Sequence, residues 1–106
     1  PPVAAAPQIP PGTVDPKGVR ATVKAHSAQV SACYERARME KPDLAGRVVV
    51  GANIGPGGEV NSASVTSSTA QNARFETCLL GAFRSWTFPA PAGGVPGNVA
   101  YTFVFD

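Results

Sequence analysis

Charge is scarce in this chain of 106 residues: seven acidic and nine basic side chains make up 15% of it. A net charge of +2, with the cations scattered, provides no surface for tracking phosphates. One tryptophan and two tyrosines give no ladder for stacking bases, so nucleic acid is not an expected partner. Histidine occurs once, at His26, and cysteine twice, at Cys33 and Cys78, too few for a metal-ligand cluster. No apolar run approaches the ~20 residues that span a bilayer. An initiator Met, a basic n-region and a signal-type apolar stretch are all lacking. The chain therefore reads as the C-terminal domain of a longer protein, with any targeting or membrane segment expected upstream.

What is present is a modest core's worth of apolar residues, 43% of the chain, enough for one domain. The opening "PPVAAAPQIPPGTVDP" favours extended polyproline II geometry, and residues 1–14 read as the end of a linker. The domain is expected over residues 15–106. Asp15 followed by Pro16 is a helix N-cap and first-turn proline. Val19, Val23, His26, Val30, Cys33 and Ala37 then form one stripe of an amphipathic helix that ends at Lys41-Pro42.

"GRVVVGANI" follows, with Val48, Val50, Ala52 and Ile54 on one face of a strand. "GPGG" is a hairpin turn, and "EVNSASVTSS" a second strand. Val60 and Val65 differ in parity, which predicts a bulge or an offset start. From about Gln71 to Trp86 the helical period returns through Phe75, Cys78, Leu79, Ala82 and Phe83. "FPAPAGGVPG" breaks it, with Pro89 and Pro91 expected to stop the helix. "NVAYTFVFD" closes the chain as a strand with Val99, Tyr101, Phe103 and Phe105 on one face. The order helix, strand, strand, helix, strand predicts an α+β domain of two layers. It consists of a three-stranded antiparallel sheet with two helices on one face.

Cys33 and Cys78 lie on the buried stripes of the two helices. An even count without a CxxC motif fits a structural disulfide formed in an oxidising compartment. Two buried free thiols, each acting as a small hydrophobe, are the alternative. Trp86 buries a large ring at the helix–sheet seam; with Phe88 and Pro89 it reads as core and punctuation.

Candidate chemistry is thin. A lone histidine on an apolar stripe reads as a packing residue rather than a base or ligand. The carboxylates Asp15, Glu35, Glu40, Asp43, Glu59, Glu76 and Asp106 form no acid/base pattern in the sequence. "GPGGE" lacks the following Lys-Ser/Thr of a phosphate-binding loop. No catalytic residue, metal site, cofactor or small-molecule substrate is therefore expected.

"GRVVVGANIGPGGEV", "VTSS", "FETCLLGAFRSWTFPAP" and the final hydrophobic strand resemble the TonB/TolA C-terminal domain pattern. There a G-R-V strand and hairpin lead to Ser-Ser and a helix ending in Trp-x-Phe-x-Pro or a close variant. "CYE" at Cys33 to Glu35, Cys78, "FPAP" and "YTFVF" are similar to a myxobacterial branch, the AgmX/PglI C-terminal domain of adventurous gliding-motility proteins. The resemblance covers roughly residues 15–106. It implies a non-catalytic, periplasmic interaction domain at the end of a force- or energy-transducing protein anchored in the inner membrane upstream. A proton-driven inner-membrane motor would act through that upstream region, and the partners would be periplasmic or outer-membrane proteins. It also implies that the last strand takes up the partner, making Val99, Ala100, Tyr101, Thr102, Phe103, Val104 and Phe105 the candidate binding edge. Whether the Thr102 amide faces the neighbouring strand or the partner is open at this level. A freestanding, disulfide-stabilised secreted binding or inhibitor domain is the alternative reading.

Overall fold

Asp15 opens the first helix as its sequence position predicts. Its side chain accepts a hydrogen bond from the Lys17 amide at 3.1 Å, and Pro16 occupies a first-turn position where no amide partner is needed. The computed structural model describes residues 10–105. Its elements are α1 (Pro16–Ala25), α2 (Ser27–Glu40), β1 (Gly46–Ile54), β2 (Val60–Ser68), α3 (Ala73–Arg84), a short 3-10 turn (Ala92–Gly94) and β3 (Gly97–Phe105). The domain is α+β, with one three-stranded antiparallel sheet in the order β2-β1-β3.

The single first helix expected from the periodicity is two helices, broken at His26. Its backbone leaves helical space at φ −109°, ψ 19°, and its amide bonds back to the Val23 carbonyl, tightening the last turn of α1. The imidazole Nδ1 lies 2.8 Å from the Thr22 carbonyl, and the ring stacks on Trp86 with centroids 4.8 Å apart. The apolar stripe nevertheless runs on across the break. Val19 and Val23 are buried from α1, Cys33 from α2, with Val30 and Ala37 packed beside them.

A second difference lies at the end of α3. The helix stops at Arg84, before Trp86 and before either proline. Ser85 folds its hydroxyl onto the Ala82 carbonyl at 2.6 Å, and the Trp86 amide reaches the Phe83 carbonyl. Thr87 then bridges to Glu59 and the Phe88 amide donates to the Gly58 carbonyl at 2.9 Å. The chain after α3 is thus recruited to the hairpin turn, which ends the helix earlier than the prolines would. Gly58 sits at φ +94°, and a Cβ there would run into the Phe88 carbonyl oxygen.

The strands follow the expected alternation. Val48, Val50, Ala52 and Ile54 are buried on the helix side of β1, and Phe103 on that of β3. The β1–β2 pairing shifts register at Val49/Val50 and at Asn53/Ile54; the second shift lies between Val65 and Val60 and accounts for their parity mismatch. The β1–β3 pairing is regular from Gly46↔Phe105 to Ile54↔Gly97. Phe75, Leu79 and Phe83 fill the space between α3 and the sheet. Trp86 and Phe88, both buried, continue that aromatic layer.

Cys33 and Cys78 form a disulfide between α2 and α3, with Cα atoms 5.7 Å apart. Tyr34, the next residue, donates its hydroxyl proton to the Leu44 carbonyl and packs on Phe75 and Phe105. Residues 1–9 of the expected linker lie outside the described residues. The last five, residues 10–14, are fastened to the domain. Gly12 donates to the Ala92 carbonyl at 2.8 Å, Ala92 donates back to Thr13 at 2.9 Å, and Val14 is buried.

Candidate functional site: the outer edge of β3

Which backbone groups of β3 face outward follows from β1. The Arg47 amide bonds the Thr69 hydroxyl at 2.7 Å, and the Arg47 carbonyl accepts from the Thr69 amide at 2.8 Å. At the other end the Gly55 amide donates to the Glu59 carbonyl. Odd-numbered residues of β1 therefore turn their amides and carbonyls toward β2, and even-numbered ones toward β3. In an antiparallel ladder directly opposed residues alternate between exchanging hydrogen bonds and exchanging none. Val48↔Phe103, Val50↔Tyr101 and Ala52↔Val99 are then the bonded pairs, and Val49↔Thr102 and Gly51↔Ala100 the unbonded ones.

Phe103, Tyr101 and Val99 spend their backbone groups on β1. Asn98, Ala100, Thr102 and Val104 point theirs away from the sheet. Among the described residues no strand pairs with β3 on that side. The side chains alternate in step. Val99, Tyr101, Phe103 and Phe105 face the helices, Phe103 buried and the others partly so; Ala100, Thr102 and Val104 are exposed on the open face. All seven residues predicted for the binding edge thus lie on one edge strand, and the Thr102 amide faces outward.

Two adjoining grooves run along the helix-side flank of this edge. One, about 340 Å³, lies between the Val14–Arg20 segment and Asn98–Thr102. The other, about 440 Å³, lies between the α1–α2 break and the side chains of Tyr101 and Phe103. Arg20 and Tyr101 border both. The opposite edge, β2, offers mainly Ser, Thr and Asn side chains.

The residues weighed for chemistry are held in other ways. His26 is bound to a backbone carbonyl and stacked on Trp86, and the Trp86 Nε1–H donates to Gln29 Oε1 at 2.9 Å. Gln29, which lies off the apolar stripe, is thus the partner that satisfies the indole. No apolar pattern could have pointed to it. Glu76 closes a reciprocal cap at the start of α3, accepting from the Asn72 amide while Asn72 accepts from that of Phe75. Glu40 pairs with Arg74 at 2.8 Å on the surface. Among the described residues no three His, Cys, Asp or Glu side chains gather as metal ligands do, and no helix is long and apolar enough to cross a membrane.

Comparison with protein-family models, with curated proteins and with solved structures finds no match for this chain.

Proposed function

We propose that this chain is a non-catalytic protein-interaction domain that binds a partner's extended segment along β3. The observation that carries the reading is the outward row of amides and carbonyls from Asn98 to Val104, on a strand with nothing paired beyond it among the described residues. Such a row completes its hydrogen bonds by accepting another strand. The disulfide and the motifs shared with TonB/TolA C-terminal domains support a periplasmic setting. There the domain works at the end of a trans-envelope protein of the gliding-motility type. Its upstream region is anchored in the inner membrane and driven by a proton-powered motor, and β3 engages periplasmic or outer-membrane components.

Proline substitution along β3 tests this directly. Thr102→Pro removes an outward amide, so the domain should keep its circular dichroism and melting behaviour yet lose its envelope partner. Amide exchange should slow along residues 99–105 when the partner is added. Slowing confined to the helices would reject strand addition.

A further inference from the structure

The flank of the β3 edge carries specificity as well as backbone groups. Arg20 and Lys24 stand one turn apart on α1, Arg20 at both grooves and Lys24 at the larger one. The walls below them are apolar, formed by Val19, Val23 and Val30 of the helices and Tyr101 of β3. Among the described residues no carboxylate borders either groove. The one ion pair among the described residues, Glu40–Arg74, joins α2 to α3 and involves neither Arg20 nor Lys24.

A strand added to β3 inherits the same alternation. Its residues opposite Ala100 and Thr102 share the open face, where the neighbours are small and a polar side chain costs little. Those opposite Val99, Tyr101 and Phe103 turn toward the helices and enter the grooves. A one-residue slip would exchange the two sets, so side-chain chemistry fixes the register. From this we infer that the β3 edge selects an extended partner segment of about seven residues with aliphatic side chains at alternate positions. One helix-facing position among them carries a carboxylate, received by Arg20 and Lys24. The inference rests on the edge-strand reading above and adds the partner's chemistry to it.

The test uses the 106-residue chain and labelled nine-residue peptides that alternate valine with serine. In three versions one helix-facing valine is replaced by glutamate, glutamine or lysine. Fluorescence anisotropy should rank glutamate over glutamine by about fivefold, the size of an exposed ion pair, with lysine weakest. The preference should shrink as salt is raised. In the double variant Arg20→Glu/Lys24→Glu the lysine peptide should bind best, at an unchanged melting temperature. Thr102→Pro should abolish binding of all three. Equal affinities that the double variant leaves unaltered would overturn the carboxylate preference; if Thr102→Pro still abolished binding, the edge-strand reading would survive. No binding by any peptide would overturn both. A wild-type dimer that Thr102→Pro turns into a monomer would make a second copy the occupant and overturn the assignment.

Discussion

Reducing the Cys33–Cys78 bond should remove a large share of the stability of this domain. The bridge spans 45 residues, and in the chain-entropy model closing a loop of that length restricts the unfolded state by about 4 kcal/mol. A domain of this size has about 5–15 kcal/mol in all, and a change of about 1 kcal/mol moves its melting temperature by roughly 4–8 °C. The melting temperature should therefore fall by roughly 20 °C on reduction. In the folded state little else changes, because Cys33 is buried and both sulfurs already pack as small apolar groups between α2 and α3. Calorimetry of oxidised protein, of reduced protein and of Cys33→Ala/Cys78→Ala separates the cross-link from the side chains. Reduced protein and double variant should melt close together, well below the oxidised form. Unreduced protein should weigh two hydrogen atoms less than reduced protein. A reduced form that melts within a few degrees of the oxidised one would refute the argument, since the loop constraint would then have no counterpart in stability.

Trp86→Ala should destabilise the fold by about 3–5 kcal/mol, because the ring is buried against Phe83, Phe88 and His26; urea denaturation measures it, and full stability with loss of partner binding would move Trp86 to an interface. Gln29→Leu should cost about 1–3 kcal/mol through the unpaired indole N–H, a loss absent when Trp86→Phe is made first. Gly58→Ala should lower stability by more than 1 kcal/mol, since it meets both the positive φ and the Phe88 carbonyl; an unchanged urea midpoint would show that the turn relaxes freely.

Local patterns carried much of the fold. The alternation of Val48, Val50, Ala52 and Ile54 against half-buried neighbours can satisfy only one face of a strand, and the mismatched parity of Val60 and Val65 is resolved by the register shift at Asn53/Ile54. Cys33 and Cys78 could be paired because each lay on a buried stripe, and two helices on one sheet face bring such stripes together. The break at His26 was not legible. It displaces the stripe so little that the periodicity continues from Val23 to Val30, while the ring on which His26 stacks, Trp86, lies 60 residues away in sequence. The early end of α3 was hidden for a related reason. A tightened turn after Phe83 carries Trp86 onto the same face that a continued helix would, so the pattern outlasts the helix. The edge residues were readable as a strand, but the direction of the Thr102 amide depends on how β1 divides its backbone groups between two neighbours. Nothing in the sequence distinguishes Arg20 and Lys24 from other exposed helix cations; only the packing of α1 beside β3 places them at the grooves.

The fastening of Gly12 and Thr13 to Ala92 has a mechanical consequence. The chain arrives at the domain beside Gly97, at the first residue of β3, and a Cβ on Gly97 would collide with the Gly12 carbonyl. Tension applied from upstream thus reaches β3 at one end through a short backbone clasp. A docked strand that leaves past Phe105 would be pulled along the strand axis, loading its hydrogen bonds together in shear. A docked strand that leaves past Gly97 would be peeled from that end, one bond at a time. Tethering the same peptide by either terminus in an optical trap should give a higher rupture force for the shear geometry, so the direction of a strand docked on β3 would set the load it bears.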